Sequence, residues 1–376
     1  MSVQVRRHRP GKDLDDFKNV AFEIYRDDPA WIPPLDMEIS DRLTPRKNPF
    51  FEHAEVALFT AWKGGTPVGR ISAQIDHEHL RLHRDNAGFF GFFDTVDDQE
   101  VASALVESAQ SWLRDRGIAR MRGPFSLSIN EETGLLVEGF DSPPVLMCPH
   151  HRDYQGRLAE GAGLRKAKDC YGWRYEVKEP VPRAQRAWEA IAALPEVKFR
   201  TVDTKRLNTE VYDILGVFND AWQHNWGFVP ATDAEAKKMA SDLKLILNEL
   251  SFFAELDGQP VGICICPPNL NEVTRDFGGK LSPANVAKLV WRLKVREPKS
   301  ARLMLLGIKT ELRGKKRYAP LAMAIIAELI RRGRRLGYEW AELGWTLEDN
   351  RLINAAIRSV GAELYKRYRI YEKPIG

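Results

Sequence analysis

Apolar and polar positions alternate in two stretches of the chain that resemble each other. The first is ALFTAWKGGTPVGRISAQ, residues 57–74, and the second is LSFFAELDGQPVGICICP, residues 250–267. Each consists of two apolar runs joined by a tight turn containing glycine, which predicts a β-hairpin. When Gly69 is aligned with Gly262, the motif Pro-Val-Gly and several apolar positions coincide. The pattern therefore indicates an internal repeat.

The elements predicted after each hairpin follow the same order in both halves. Residues 101–117 and 321–337 place apolar side chains at helical spacing and stop at a glycine, and the strand-like runs ARMRGPFS and YEWAELGW follow them. A second helix then ends at Gly163 or Gly361, and the aromatic-rich strands KDCYGWRYEV and LYKRYRIYEK close the halves. Prolines punctuate the run EPVPR between them. We therefore predict two α/β domains, residues 1–180 and 181–376.

The composition excludes some classes of protein but does not indicate a function. Of the 376 residues, 44% are hydrophobic and 29% are charged, which is ordinary for a globular protein. The net charge of +4 is small and the basic residues are dispersed, which argues against nucleic acid as a partner. We see neither a signal peptide nor an apolar run long enough to span a bilayer, and the four cysteines are scattered. These features predict a cytoplasmic protein.

Two groups of side chains could serve metal or redox chemistry, or could have a purely structural role. Cys264 and Cys266 alternate in an apolar run, which favours core packing. His77, His79 and His83 are close in sequence but have no acidic or cysteine partner at a recognisable ligand spacing, which favours a solvated connection. The sequence therefore predicts no metal site.

The segment LGIKTELRGKKRYAPLAMAIIAEL, residues 306–329, runs from a strand through a basic turn into an apolar-periodic helix. Free N–H groups at a helix N-terminus attract anions, and Arg313, Lys315, Lys316 and Arg317 add positive charge. We expect a phosphate group to bind at Arg313 to Ala319. The alternative is a solvated basic turn.

The corresponding segment of the first half is FFDTVDDQEVASALV, residues 92–106. It has neither arginine nor glycine, and it contains four carboxylates: Asp94, Asp97, Asp98 and Glu100. These side chains suit the start of a helix and would repel a pyrophosphate. We therefore expect the first half to support or shape the site without binding the phosphate.

At this point the chain resembles the GNAT acyltransferase superfamily, twice over and along nearly its whole length. The runs DPAWIPPL, NPFFEHAE, GFFGFFD, GPFSLSINEETGLLVEGFDSPP and HNWGFVP are similar to those of a group of bacterial tandem GNAT-like proteins. The resemblance implies an α/β (α+β) fold: a tandem duplication with two twisted mixed sheets flanked by helices. It also implies N-acyl transfer with acyl-CoA as co-substrate. Some members of that group are linked to the N-acylation of long-chain bases.

The resemblance assigns coenzyme A to the second half. The pyrophosphate motif is met only in part, because Lys316 and Tyr318 stand where the superfamily has small residues. The residues implied for cofactor binding are Leu306, Gly307, Ile308, Arg313, Gly314, Lys315, Lys316, Arg317, Tyr318, Ala319 and Asn350.

The general-acid tyrosine of the superfamily is missing. Asn350 and Gly361 preserve its sequence frame, but Ile357 occupies the tyrosine position. A nearby tyrosine of the terminal strand is the substitute that the resemblance allows: Tyr365, Tyr368 or Tyr371. Core packing is the alternative for all three.

N-acyl transfer needs a neutral amine, whereas an ordinary alkylamine has a pKa near 10.4. A carboxylate must therefore accept a proton, directly or through water. Glu342, on a predicted strand, and Asp349, at its end, are the candidates, with Tyr365 as third catalytic residue. Asp349 or Asn350 is alternatively the cap of the next helix.

Three residues are candidates for substrate binding: Asn130, Glu131 and Trp226. A plain turn and core packing are the alternatives. Seven aromatic residues allow two interpretations: Phe89, Phe90, Phe92, Phe93, Trp222, Trp226 and Phe228. If these side chains line a cleft, they would suit a long apolar substrate. The alternative is that they form ordinary hydrophobic cores.

Three functions remain open from the sequence. The first is an N-acyltransferase that moves an acyl group, acetyl or longer, from acyl-CoA to a small-molecule amine. The second is long-chain N-acylation of a lipid amine, from acyl-CoA or acyl carrier protein, which allows transient contact with a membrane surface. The third is a degenerate, non-catalytic binding protein. The acceptor and the oligomeric state stay open.

Overall fold

Both predicted hairpins are present, and each turns at two successive residues with positive φ. A computed structural model describes residues 2–244, 246–296 and 298–375. Gly64 and Gly65 have φ of 61° and 84°, and Asp257 and Gly258 have φ of 50° and 78°. Such pairs form the type I′ turn, whose twist matches that of the flanking strands. Glycine serves there because it reaches positive φ without steric cost.

Strands and helices alternate along the chain, as predicted for an α/β protein. The strands are β1 (Gln4–His8), β2 (Ala54–Lys63), β3 (Thr66–Asp76), β4 (Ala87–Thr95), β5 (Arg120–Gly123), β6 (Leu135–Glu138), β7 (Arg165–Glu176), β8 (Val197–Thr201), β9 (Phe252–Leu256), β10 (Gln259–Ile265), β11 (Ser300–Leu303), β12 (Leu305–Ile308), β13 (Trp340–Leu347) and β14 (Glu363–Pro374). The α-helices are α1 (Asp15–Ile24), α2 (Asp36–Arg42), α3 (His77–His83), α4 (Gln99–Arg114), α5 (Gln155–Gly161), α6 (Pro182–Ala192), α7 (Leu207–Trp222), α8 (Asp233–Leu243), α9 (Leu270–Thr274), α10 (Pro283–Trp291), α11 (Leu321–Arg335) and α12 (Arg351–Ser359).

The elements divide into two compact units that are not consecutive in sequence. Unit 1 contains the residues up to Cys170, Thr274–Val290 and those from Lys366 onward, and unit 2 contains Tyr171–Val273 and Trp291–Tyr365. The strand that ends the second half thus completes unit 1, and the strand that ends the first half contributes to unit 2. The boundary at residues 180 and 181, which was inferred from the repeat, stays a prediction about the duplication.

Unit 1 is built on a mixed sheet with the strand order β1-β2-β3-β4-β5-β14. Neighbouring strands are antiparallel except β4 and β5, which are parallel from Ala87 to Phe89. Helix α4 packs on this sheet with Leu105 in the core. The side chain of Asp98 accepts hydrogen bonds from N–H groups in the first turn of α4, so one of the four carboxylates predicted at this helix start is its cap.

Unit 2 contains an antiparallel sheet, β12-β10-β9-β8, and a parallel pair, β11 and β13, with β7 beside β13. Helix α11 covers one face of β10, where a Cβ at Gly262 would lie 2.9 Å from Ile325 Cδ1. Helices α7 and α8 cover the other face. Cys264 and Cys266 are buried in the core under α11, which confirms that they pack in the core. The predicted α/β fold, with two sheets flanked by helices, is confirmed.

A buried polar cluster surrounds Asp94 at the end of β4, so this carboxylate does not serve the helix start that we predicted for it. Asp94 accepts a hydrogen bond from Arg70 Nε at 2.7 Å and another from the Tyr25 hydroxyl. His151 is buried in the same unit, and its Nδ1 accepts a hydrogen bond from Leu136 N–H at 3.0 Å. Burial lowers the pKa of His151 to about 4, although the charge of Asp94 opposes this shift.

We predict that the free energy of unfolding falls as the pH is lowered from 7 to 5. The pKa of His151 is about 4 in the folded protein and 6.5 as a reference for the unfolded chain, so the unfolded chain binds more protons in this interval. His151 alone should then account for a loss of about 2 kcal/mol at pH 5. Urea unfolding at both pH values measures it.

The matched variant is His151→Asn, which keeps an acceptor for Leu136 N–H but does not titrate. Its stability should depend less on pH by about the same amount. An identical pH dependence in both proteins would contradict the assignment to His151.

Candidate active site

The chain between residues 300 and 308 pairs with two different strands in turn. Strand β11 pairs in parallel with β13 from Ser300 to Leu303. At Met304 the chain changes partner: Met304 N–H donates to Ile265 O at 2.9 Å, and β12 continues antiparallel to β10. The carboxyl ends of β12 and β13 therefore separate within unit 2.

A cavity of about 460 Å³ lies at the separated strands. Its walls come mainly from β12, β13, α11 and α12, and most of the side chains are aliphatic, among them Leu303, Leu306, Ile308, Leu343, Leu347 and Ile353. Pockets that hold organic ligands measure about 300–1,000 Å³. The cavity is therefore large enough for an organic ligand, and its lining favours an apolar one.

The carboxyl ends of β12 and β13 add polar side chains to the lining: Asn225, Arg313, Thr346 and Asn350. Arg313 is exposed, so the cavity reaches the protein surface here. A Cβ at Gly307 would lie 2.4 Å from the Trp222 ring, so glycine is needed for the ring to pack against β12. The sequence pointed to Gly307, Arg313 and Asn350 but missed Asn225 and Thr346.

The basic loop after β12 has more structure than the predicted strand–turn–helix. It contains 3₁₀ turns at Thr310–Leu312 and Lys316–Tyr318, and α11 starts only at Leu321. Asp220 of α7 fixes its start, because the carboxylate accepts hydrogen bonds from the N–H and, at 2.9 Å, the hydroxyl of Thr310.

The predicted basic residues of this loop differ in their surroundings. Arg313 Nη2 donates to Ala221 O at 2.9 Å, and Arg317 Nη2 pairs with Glu196 at 2.5 Å. Gly314, Lys315, Lys316, Arg317 and Ala319 are exposed, whereas Tyr318 is half-buried against the core of unit 2. The loop thus presents positive charge to solvent beside the cavity, with Arg317 partly neutralised.

Two predicted catalytic residues meet in the structure. Glu342 is fully buried, and its carboxylate accepts a hydrogen bond from the Tyr365 hydroxyl. Arg302 is buried opposite Glu342 in the register of β11 and β13. The cavity lining includes Ala341 and Leu343 but neither Glu342 nor Tyr365, so neither of these two side chains faces the cavity directly.

The other catalytic candidates are placed differently. Asp349 is exposed, and Asn350 caps α12 by accepting a hydrogen bond from Ile353 N–H at 3.4 Å. Tyr368 and Tyr371 are buried in unit 1, where the Tyr371 hydroxyl lies 3.2 Å from a Glu160 oxygen. Of the three tyrosines considered, Tyr365 is the one in unit 2.

The candidate substrate residues do not line the cavity of unit 2. Asn130 and Glu131 belong to a turn of unit 1, where Glu131 pairs with Arg42 at 3.4 Å and Asn130 N–H donates to Ser128 Oγ at 3.1 Å. Trp226 is half-buried in the loop after α7. Their roles in substrate binding stay predictions.

The aromatic side chains divide between cores and cavity. Phe90 and Phe93 belong to one core of unit 1, Phe92 belongs to another, and Phe228 packs beside Phe218 in unit 2. Trp222 alone among the seven proposed residues lines the cavity. The apolar surface near the candidate site is therefore mostly aliphatic.

The histidine segment is the short helix α3, which connects β3 to β4 and exposes His77 and His83, as expected for a solvated connection. His79 is buried, its Nε2 lies 3.1 Å from Asp85 Oδ1, and its ring stacks on His83. Within residues 2–244, 246–296 and 298–375, no cluster of His, Cys, Asp or Glu has the geometry of a metal site. None of the helices in the described part of the chain is long and apolar enough to cross a bilayer.

In unit 1 the chain itself fills the corresponding gap. Strands β4 and β5 also part after three residue pairs, but Phe125 N–H then donates to Phe90 O at 2.7 Å. Gln74 Nε2 donates to Phe125 O at 2.7 Å and to Leu127 O at 3.2 Å. A Cβ at Gly91 would lie only 1.8 Å from Phe125 O. Backbone thus takes the place that the cavity has in unit 2.

The fold, with a strand that leaves its parallel neighbour and opens a ligand slot, is that of the GNAT acyltransferase superfamily. A tandem GNAT protein from the clavulanic acid biosynthesis pathway superposes with a TM-score of 0.61 at 12% identity, covering 100% of this chain and 99% of that chain. The resemblance to tandem GNAT proteins is thereby confirmed. No protein-family model matches the chain.

Two relatives align with almost the whole chain. The bacterial ceramide synthase of Caulobacter vibrioides is 42% identical over 367 residues, which are 96% of this chain and 95% of the relative. Protein YghO of Escherichia coli is 37% identical over 374 residues, 99% of this chain and 95% of the relative. The chain belongs to the family of these two proteins.

We predict that Asp220→Ala loosens the loop between β12 and α11. The substitution removes both hydrogen bonds to Thr310 and should cost about 1–2 kcal/mol of unfolding free energy, because the half-buried N–H and hydroxyl of Thr310 lose their acceptor. Limited proteolysis should then cut near residues 310–319 faster than in the parent protein. Asp213→Ala, at an exposed position of the same helix, is the control and should leave both measurements unchanged. Equal behaviour of the two variants would contradict the role of Asp220.

Proposed function

We propose that this protein transfers an acyl group from acyl-CoA to the primary amine of a long-chain base. The observation that carries the proposal is the apolar cavity at the separated strands of unit 2, next to a basic loop. A ceramide is a long-chain base whose amine carries a fatty acyl group, and a relative 42% identical to this chain is named a ceramide synthase. The lining favours a fatty acyl chain, because each buried methylene contributes about 0.8 kcal/mol.

The basic loop suits the phosphates of the donor. Arg313, Lys315 and Lys316 are exposed there, and the N-terminal N–H groups of α11 add a partial positive charge. Strand β12 uses one edge to pair with β10, so its other edge is available to the amides of a pantetheine arm.

Unit 1 has neither an open cavity nor an exposed basic loop at the corresponding position of its described residues. Residues 124–127 lie along β4, and the carboxylates of the following loop serve local partners: Asp98 pairs with Lys63 at 2.6 Å and Asp97 pairs with Arg157. This asymmetry supports our proposal that unit 2 alone holds the donor.

In the proposed reaction the amine nitrogen attacks the thioester carbonyl, a C–N bond forms and the C–S bond breaks. The nitrogen loses one proton and the departing sulfur gains one, so the products are an amide and free coenzyme A. We propose Glu342 as the final proton acceptor and its partner Tyr365 as the source of the proton for sulfur, each connected to the cavity through water. Asp349, exposed at the end of β13, is the alternative base.

Two alternatives keep specific support. Acyl carrier protein presents the same pantetheine phosphate as coenzyme A, so the basic loop also fits that donor. A non-catalytic binding role draws on Ile357, which stands at the position of the usual tyrosine and lines the cavity. A small amine acceptor, as in an N-acetyltransferase, is the third arm of the test.

The test is a transfer assay with mass-spectrometric detection of the amide. Palmitoyl-CoA, acetyl-CoA and palmitoyl-acyl carrier protein are offered as donors, and a long-chain base and spermidine as acceptors. We expect N-palmitoylation of the base from palmitoyl-CoA. Product from spermidine and acetyl-CoA alone would refute the lipid substrate, and no product in any combination would favour the binding role.

We predict that Arg313→Glu combined with Lys315→Glu weakens palmitoyl-CoA binding at least tenfold. Each reversed charge removes a phosphate contact worth about 1.5–3 kcal/mol and adds repulsion. Isothermal titration calorimetry measures the dissociation constant. Charge reversal of Asp97 and Glu100 in unit 1 is the control and should change it little. Equal losses in both variants would contradict binding by unit 2 alone.

A further inference from the structure

Helix α11 has a buried glycine at a position where a side chain would meet empty space. Gly333 is buried near the end of the helix and belongs to the cavity lining. A Cβ built there would find no neighbouring atom of the described residues within 4 Å, apart from the helix's own backbone.

This glycine has no packing reason of the kind that other glycines of unit 2 have. A Cβ at Gly262 or at Gly307 would collide with Ile325 or Trp222. Glycine inside a helix is also destabilising relative to alanine, because it loses more backbone entropy. Gly333 therefore weakens α11 without relieving a close contact, and what it provides is room in the cavity.

The position of Gly333 along α11 indicates where that room lies. Ile326, Leu329, Ile330 and Gly333 share one face of the helix and all line the cavity. The helix begins just after the basic loop, and Gly333 lies roughly 18 Å along the axis from Leu321 at 1.5 Å per residue. The cavity therefore extends from the basic loop toward the far end of α11.

We propose that Gly333 sets the depth of the cavity and with it the longest acyl chain that unit 2 accepts. The inference rests on the proposed function, because it takes the cavity as the site of the acyl chain. It adds that a fatty chain enters from the end at Arg313 and that its terminal methyl group approaches Gly333.

The test replaces Gly333 by leucine, whose four side-chain carbons would occupy the empty space. The room lost corresponds to about four methylenes at about 0.8 kcal/mol each, a roughly 200-fold loss of affinity. We expect this loss for palmitoyl-CoA and almost none for octanoyl-CoA. Calorimetric titration without an amine measures binding independently of catalysis.

Gly216→Leu is the matched control. Gly216 is a helical glycine of α7 whose Cβ would also meet open space, but it is exposed and does not line the cavity. Its affinities for both esters should match those of the parent protein. Melting temperatures of both variants show whether the fold is kept, and Gly333→Ala should raise the melting temperature.

Each result has a definite meaning. The same chain-length series in the parent protein and in Gly333→Leu, or no length dependence in the parent protein, would overturn the depth proposal. Length-dependent binding that Gly333→Leu truncates, together with no transfer to a long-chain base, would uphold the role of Gly333 and count against the proposed acceptor. Transfer to a long-chain base, together with the same chain-length dependence of binding in Gly333→Leu and the parent protein, would support the proposed acceptor and count against the role of Gly333.

An independent observation concerns the helical segment 283–296, which consists of α10 and a π-helical turn at Arg292–Arg296. Several of its apolar side chains are exposed: Val286 by 44%, Val290 by 55%, Trp291 by 51% and Val295 by 67%. None of the residues in this segment is buried. A surface helix normally turns its apolar side to the core.

Three polar side chains of this segment bind residues that precede it in the chain. Asn285 Nδ2 donates to Lys280 O at 2.8 Å, Lys288 Nζ pairs with Asp276 at 3.0 Å, and Arg292 Nη1 donates to Val273 O at 2.6 Å. The spacing of these three residues places them on one side of a helix. Leu289 and Leu293 are half-buried on the same side as these polar residues, so the four exposed apolar side chains are surface that the protein itself leaves uncovered.

We infer that the part of this segment in unit 2, residues 291–296, lies on the surface of an anionic lipid bilayer. Valine and tryptophan side chains insert at the boundary between headgroups and acyl chains, and the exposed Lys294 and Arg296 beside them favour negatively charged headgroups. A second copy of the chain is the weaker occupant, because a symmetric contact would bring the same basic side chains together. This inference does not depend on the acyl-transfer reaction.

Vesicle flotation tests it with phosphatidylcholine alone and with phosphatidylcholine containing phosphatidylglycerol. We expect binding to the anionic vesicles and a severalfold lower bound fraction for Val295→Glu. Met37→Glu, at a position 58% exposed in unit 1, is the control and should bind like the parent protein. Absence of vesicle binding would overturn the inference. So would equal binding of all three proteins, or a dimer that Val295→Glu dissociates.

Discussion

The change of partner at Met304 is the constraint on which the candidate site depends. Up to Leu303 the chain is held by the parallel strand β13, and from Leu305 it is held by the antiparallel strand β10. Because β12 pairs with β10 and follows it away from β13, it can no longer pair with β13. A gap between β12 and β13 therefore opens beyond Leu343. Aliphatic side chains of α11 and α12 line this gap, and no segment of the described part of the chain fills it.

The two units treat the same topological gap in opposite ways. In unit 1 the amide of Phe125 and the side chain of Gln74 draw residues 124–127 against β4, and Gly91 leaves space for that backbone. In unit 2 the strand moves away and the following loop is tied to Asp220 of α7 instead. A duplicated architecture thus supports one closed copy and one open copy, and the difference comes from a few hydrogen bonds and a glycine.

Charge follows the same division. In unit 1, Asp94 near the end of β4 pairs with Arg70, and Asp98 after β4 binds Lys63 and the N-terminus of α4. The loop that follows β12 instead exposes Arg313, Lys315 and Lys316, while Arg317 pairs with Glu196. Because a charge that is paired with an opposite charge attracts a ligand less than an unpaired one, this difference agrees with our proposal that unit 2 binds the phosphates.

The sequence by itself determined what depends on local chemistry. The turns at Gly65 and Gly258, the helical spacing before Gly117 and Gly337, and the cap at Asp98 each follow from neighbouring residues, so the elements could be predicted. Tertiary structure decided the rest. Residues 366–374 end the second half of the sequence but pair in unit 1. The sequence could not predict this, because an aromatic-rich strand fits either sheet and packing decides which one it joins. Likewise the aromatic residues around Phe90 proved to be core, and Gly333 gained meaning only from the empty space it faces, which no sequence pattern encodes.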